Sequence, residues 1–75
     1  MSLQYVTIHE NSPPRHVSLM NSMFKDKYNA MVISIYRENE FILSPSASTV
    51  FSNGDIVWFV STNESSDMLK HDMER

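Results

Sequence analysis

Apolar and polar positions change their period several times along the chain, and each change marks an element. Residues 4–9 alternate, Val6 and Ile8 on one side and Tyr5, Thr7 and His9 on the other. In a β-branched and aromatic stretch this predicts a first strand. Asn11-Ser12-Pro13-Pro14 ends it, because proline cannot donate to a ladder and restricts the residue before it. Residues 15–25 then take a helical period. Val17, Met20 and Phe24 stand at i, i+3 and i+7 with Leu19 and Met23 beside them, which predicts a first helix with one apolar stripe. Lys25 and Lys27 suit its carboxyl end. Residues 30–36 give the clearest strand, and plain alternation puts Met31, Ile33 and Ile35 on one face, Val32 and Tyr36 on the other. The polar break at Arg37-Glu38-Asn39-Glu40 predicts a hairpin into residues 41–43, with Asn39 as the left-handed residue. Residues 44–48 read as a loop and 49–51 as a brief extended piece. Asn53-Gly54-Asp55 is a tight turn that uses the only glycine of the chain for positive φ. Residues 56–60 form a fourth strand. Residues 62–66 offer N-caps for a terminal helix over 65–74, which carries Leu69 and Met73 one turn apart.

The expected architecture is α+β: a small four-stranded, mainly antiparallel sheet or pseudo-barrel with two short helices, in one domain over residues 1–75. Both faces of the strong strands are apolar. Ile56, Trp58 and Val60 oppose Val57 and Phe59, where a hairpin-built sheet usually leaves one face polar. Two readings follow: the sheet curls on itself and buries both sides, or a partner chain covers the second. The six methionines fit an adaptable contact surface or simple gap-filling.

Composition narrows the function classes. With 75 residues the chain buries only about 60% of its unfolded surface, so a domain of this size is marginal alone. Met1-Ser2-Leu3 runs directly into strand-like sequence, which fits a natural start or, the reading preferred at this size, a domain excised from a larger protein. The absence of cysteine removes disulfides and thiolate metal sites and fits a reducing, cytoplasmic setting. The net charge of −3 argues against a nucleic-acid partner. The acidic end is uneven, with Asp55, Glu64, Asp67, Asp72 and Glu74 against Lys70 and Arg75, and reads as a solvated helix face. His9, His16 and His71 form no ligand spacing, so no metal site is expected. Seven serines between Ser44 and Ser66 include no GxSxG elbow, and one glycine cannot build a phosphate loop. The pairs Glu38/Glu40 and Asp72/Glu74 flank a turn and a chain end and read as solubilising charge. No catalytic constellation is visible, and the expectation is a non-enzyme without a cofactor.

The order of these elements carries a resemblance. The strand ending in Tyr36-Arg37 and the short strand Phe41-Ile42-Leu43 running into Ser44-Pro45 come first. Thr49-Val50, the Asn53-Gly54-Asp55 turn and the strand with a Ser61-Thr62 exit before an acidic helix follow. From Tyr28 onward this resembles the TrkA-C domain, also called RCK_C, the regulatory lobe of proteins that gate potassium uptake systems and some potassium channels. Residues 4–24 fit the family's opening strand and helix. Family members often carry a glycine before the first helix, where this chain has Pro14-Arg15-His16, and the loop 44–48 is serine-rich. Both departures bear on ligand identity more than on fold.

The resemblance implies a homodimer and, in some members, a small ligand such as a cyclic dinucleotide between two lobes. It also implies attachment to a membrane transporter or channel subunit, with a place on the cytoplasmic side of the membrane. A Trk/Ktr-type gating subunit is the leading context. Lobes of the same family on antiporters or anion permeases, and a ligand-free dimerisation domain, are the alternatives. In an acidic domain an anionic ligand needs a local base. Arg37 is the only one on the hairpin and can fork onto a phosphate, unless it merely pairs with Glu38 or Glu40. Asn39 would read a base or ribose edge, and Phe41 and Ile42 would wall a base. Arg15 and His16 would add charge and backbone N–H groups at the first helix start.

Overall fold

The structure is a computed structural model, and it describes residues 1–74. Arg75, the last residue of the expected domain, lies outside them. Four strands, β1 (Ser2–Thr7), β2 (Met31–Arg37), β3 (Glu40–Leu43) and β4 (Ile56–Ser61), form one sheet in the order β1-β4-β2-β3. Every neighbouring pair is antiparallel. The sheet is open, with β1 and β3 at its edges, so the pseudo-barrel alternative is not the one the chain takes. Two helices, α1 (Phe24–Tyr28) and α2 (Asn63–Glu74), complete the fold together with one 3-10 turn at Leu19–Asn21.

One face of the sheet builds the core. Val6 of β1, Val57 and Phe59 of β4 and Ile35 of β2 are fully buried there. Leu69 and Met73 of α2 close over them, together with Phe24 and Tyr28 of α1 and Phe51 from the loop. Phe24 is the hub, with ring centroids 5.4 Å from Phe51 and 6.4 Å from Phe59 and Tyr28. The helices are tied across the surface by Tyr28, whose hydroxyl donates to Asp72 at 2.5 Å, while Lys27 pairs with the same carboxylate at 3.5 Å. Thr62 caps α2, its Oγ1 accepting from the Ser65 N–H at 3.2 Å.

The first helix differs from expectation. Residues 15–23 form no α-helix, only the 3-10 turn at Leu19–Asn21, although their apolar spacing fits a helix, because several of their backbone groups pair elsewhere. His16 N–H donates to the Phe51 carbonyl, Phe51 N–H to Val17, and Leu19 N–H to Thr49. The segment is therefore stitched to the extended piece 49–51 through an isolated bridge between Ser18 and Val50. His16 (φ 65) and Met23 (φ 67) are both left-handed, which a continuous helix does not allow. Only Phe24 onward winds, and Asn29 (φ 50) ends α1 with its N–H on the Lys25 carbonyl at 3.0 Å.

The second difference lies in β2. A bulge between Val32 and Ser34 breaks the alternation. Val32 faces Phe59 and Ile35 faces Val57, so both point to the core, while Met31, Ser34 and Tyr36 share the opposite face. Met31 and Ile35 are thus on different faces, contrary to plain alternation, and Ile33 is the inserted residue.

The opposite face is apolar and bare. From β1 to β3 it carries Leu3 and Tyr5, then Ile56, Trp58 and Val60, then Met31 and Tyr36, then Phe41 and Leu43. Leu3 (59%), Tyr5 (53%), Met31 (67%), Phe41 (57%) and Leu43 (74%) are all more than half exposed. The two-sided apolarity is therefore not absorbed by the chain itself, and contiguous apolar patches of this kind mark interaction surfaces.

Candidate functional site

The β2–β3 hairpin and the turn leading into β4 gather the polar chemistry. The hairpin closes through two left-handed residues, Glu38 (φ 50) and Asn39 (φ 65), the geometry whose twist matches the flanking strands. The Asn53-Gly54-Asp55 turn comes next to it. Gly54 holds φ 92 and donates its N–H to the Ile8 carbonyl at 2.8 Å, while Ile8 N–H donates to the Asp55 carbonyl at 2.8 Å. The turn is thus clamped to the end of β1, and this fixes the Asp55 side chain in the interior.

Arg37 meets Asp55 side-on. Its Nε donates to Oδ1 at 2.8 Å and its Nη2 to Oδ2 at 2.6 Å, and Nη2 also donates to the Val50 carbonyl at 2.8 Å. Asp55 is 1% exposed and accepts a further bond from the Ser52 N–H at 2.8 Å. The Arg37 side chain keeps 30% of its surface. The bond to Asp55 raises the guanidinium above its ordinary pKa against the lowering effect of burial, and the charges of Asp55 and Glu38 add to the rise. A base with a raised pKa contributes its stability at every pH below the ordinary guanidinium range and loses it only in strong alkali, so Arg37 is a permanent cation. The pairing with Glu38 or Glu40 considered from sequence is replaced by a deeper one. No sequence period flags Asp55 as the partner; it lies 18 positions away and only the register brings it in.

The other anticipated residues divide between the two faces. Tyr36 and Phe41 stand opposite one another on the bare face with rings 4.7 Å apart, and the Tyr36 hydroxyl reaches Asn39 Oδ1 at 3.4 Å. Asn39 and Phe41 are thus neighbours of one aromatic wall. Ile42 pairs with Ile35 and packs on the core from the other side, so it does not share that wall with Phe41. His16 comes close to the Arg37 cluster through the 50–51 segment, its N–H donating to the Phe51 carbonyl while Arg37 donates to that of Val50. The backbone N–H groups of Arg15 and His16 do not form an anion cradle. Arg15 N–H donates to Ser12 and His16 N–H to Phe51, and no helix starts there. Sequence reasoning did not single out Trp58 and Tyr5, whose rings meet at a tilt of 46° with centroids 4.9 Å apart on the bare face, with the Lys70 ammonium 6.0 Å from the Tyr5 ring centroid. Their signal was the outward half of the alternation in β1 and β4.

Among the described residues no cluster of His, Cys, Asp or Glu suits a metal ion, and no helix is long and apolar enough to cross a membrane. A surface cavity of about 440 Å³ lies between the 3-10 turn, α1 and the start of β2, lined by Met20, Met23, Phe24 and Met31 among others.

A four-stranded antiparallel sheet with helices on one face and a bare apolar face on the other defines a small α+β lobe. The model of the TrkA-C domain matches residues 3–73, and the chain belongs to that family. No curated protein matches the chain in sequence. The RCK_C domain dimer of S. agalactiae BusR in complex with c-di-AMP superposes with a TM-score of 0.87 at 22% identity, covering 99% of this chain and 97% of that one. The RCK C domain of the potassium transport protein KtrA, in complex with cyclic diadenosine monophosphate, gives 0.84 at 21% identity over 93% and 80%. S. agalactiae BusR bound to its busAB-promotor DNA gives 0.86 at 22% identity, and there the match covers 97% of this chain but only 36% of that one. At these identities the likeness is one of fold.

Proposed function

We propose that the chain is a non-catalytic regulatory lobe that dimerises through its bare sheet face and binds a cyclic dinucleotide of the c-di-AMP type. The bare aromatic and aliphatic face carries this reading: Tyr36, Phe41, Tyr5 and Trp58 offer stacking surface for purine rings, and five apolar side chains stand more than half exposed with no cover from the chain itself. Asn39 stands beside the aromatic wall, the Lys70 ammonium lies 6.0 Å from the Tyr5 ring, and Arg37 is a fixed cation at the hairpin end. The c-di-AMP complexes of the similarly folded BusR and KtrA lobes support the ligand class, and the BusR lobe dimer supports the assembly. Among the described residues no arrangement of nucleophile, base and oxyanion donors accompanies these groups, and a binding role is proposed in preference to catalysis.

The lobe would serve in the cytoplasm as part of a larger regulator. Control of potassium transport is the leading context, on the strength of family membership and the KtrA lobe. The antiporter and anion-permease contexts share that family support. A promoter-binding regulator is a further context, favoured by the DNA-bound BusR, and the acidity of this lobe does not bear on it because another domain would contact the DNA. In each case ligand binding would bias two arrangements of the attached machinery by its differential affinity, commonly about 1–3 kcal/mol. The direct test is calorimetric titration of c-di-AMP and of linear adenine nucleotides into the chain. Saturable binding of c-di-AMP with one ligand per two chains is the expected result. Absence of binding by every nucleotide, with a dimer still present, would favour the ligand-free dimerisation domain instead.

A further inference from the structure

A methionine-lined cavity of about 440 Å³ opens between the 3-10 turn, α1 and the start of β2. Met20 (68%), Met23 (50%) and Met31 (67%) are its exposed walls, and buried Phe24 lines it with them. Lys25 and Asp26 are the only polar side chains in the lining. A second cavity of about 260 Å³ adjoins it and shares Lys25, Ala30 and Met31. Lys25 therefore stands where the two meet, and among the described residues it has no ion-pair partner. Met23 holds φ 67, which few residues other than glycine adopt, and this bend at the entry to α1 puts a thioether into the wall. The larger cavity touches the bare sheet face only at Met31.

We propose that this cavity is a second ligand site, for a straight-chain aliphatic carboxylate of the fatty-acid class. The chain lies among the three thioethers and the carboxylate pairs with Lys25. The site is independent of the cyclic-dinucleotide reading above. Its volume falls in the range of small-molecule pockets, about 300–1,000 Å³. Apolar walls with one unpaired cation match an apolar chain with one anionic head, whereas a cationic amphiphile would be repelled there. A peptide would bring an amide at every residue, and the lining side chains answer none beyond Lys25 and Asp26. Thioethers on three rotatable bonds adapt to a flexible chain, where β-branched walls would impose one shape. Asp26 lines the larger cavity alone, so its charge favours the carboxylate on the side of Lys25 that faces the smaller one.

Nuclear magnetic resonance of isotope-labelled methionine methyl groups tests this. Octanoate, decanoate and dodecanoate, each below its micelle concentration, would be titrated into the chain. Met20, Met23 and Met31 should shift saturably, while Met68 and Met73 on α2 stay in place. The fluorescence of Trp58, the only tryptophan and a bare-face residue, should not change. Affinity should rise about fourfold for each added CH₂ until the cavity is filled. Lys25 and Met20 are exposed, so variants there keep the fold, which far-ultraviolet dichroism checks. Lys25→Gln should weaken decanoate about threefold and leave 1-decanol as it was. Met20→Glu should weaken both by about tenfold or more, because the chain would strip water from a carboxylate in the wall. The absence of a saturable shift at Met20 and Met23 overturns the proposal, as does full affinity in Met20→Glu. Equal effects of Lys25→Gln on decanoate and decanol overturn the carboxylate and with it the ligand class. A ligand that changes Trp58 and spares Met20 sits on the bare face, which also overturns it. Dilution without ligand tests the remaining occupant: if Met20 and Met23 shift as a dimer dissociates, a second copy fills the cavity and the proposal falls.

Discussion

The bidentate ion pair of the lobe leaves little trace in local sequence. Arg37 and Asp55 form a bidentate pair in which one partner is almost wholly buried. Removing Arg37 leaves an uncompensated interior carboxylate, a change that costs about 3–5 kcal/mol in fully buried pairs and less where one partner keeps solvent contact, as here. A surface pair with Glu38 or Glu40 would contribute only ~0–1 kcal/mol, so the register of the sheet changes the weight of this residue by several-fold. Gly54 shows the converse case, a residue whose need follows directly from its type. A Cβ built there meets nothing within 4 Å, so the space is open and the whole constraint is the φ of 92. Gly54→Val should therefore lower stability by about 1–2 kcal/mol in urea unfolding, from backbone strain alone. Gly54→Ala should lose somewhat less, since alanine lacks the β-branch. A valine variant as stable as wild type would mean that the turn relaxes without its glycine.

The elements legible in the sequence are those whose local chemistry and tertiary setting agree. The hairpin, the Asn53-Gly54-Asp55 turn, the β4 strand and the Leu69/Met73 face of α2 each carry turn residues or a periodicity that packing only reinforces. The segment 15–23 misleads because its apolar spacing suits a helix while its N–H groups find better-placed carbonyls in residues 47–51. A long-range bridge of this kind leaves no local signal. The bulge at Ile33 is hidden for a similar reason: an inserted residue inside a uniformly apolar strand does not change its composition, yet it reverses the face of everything after it. The candidate site was half legible. Arg37, Asn39 and Phe41 stood out as hairpin residues, but the division between faces depends on pairing, and it separates Ile42 from Phe41. The hairpin also carries a local mismatch. Glu38 sits at φ 50 in a two-residue turn that prefers Asn or Gly at that position. Glu38→Asn should raise stability by about 0.5 kcal/mol, read as a higher urea midpoint at unchanged m. A lower midpoint would show that Glu38 contributes more through its charge beside Arg37 than it loses through its backbone.

At the scale of the whole molecule, one sheet faces two different environments. The inner face is closed by α1, α2 and the 49–51 segment, and no further element of the described residues lies over the outer one. A second copy is the simplest cover, because a two-fold axis through the outer face would bury both bare surfaces at once and bring two Tyr36–Phe41 walls together. The methionine at position 31 sits at the margin of this face and of the cavity beside α1, so its flexible thioether can adapt to whatever meets the rim. Leu43 is the most informative position for testing the arrangement. It is 74% exposed on the edge strand β3, so a charge there costs the isolated lobe almost nothing. In a dimer through this face the same charge would have to lose its hydration, a penalty of several kcal/mol that outweighs the modest surplus of a small interface. Leu43→Glu should therefore sediment at the 8.7 kDa mass of one chain at micromolar concentration, where wild type should show about twice that mass, with the far-ultraviolet dichroism of the two unchanged. If the two sediment alike as dimers, the interface lies elsewhere on the lobe. If wild type is itself monomeric across that range, the bare face waits for a different partner, such as the machinery to which a regulatory lobe is attached.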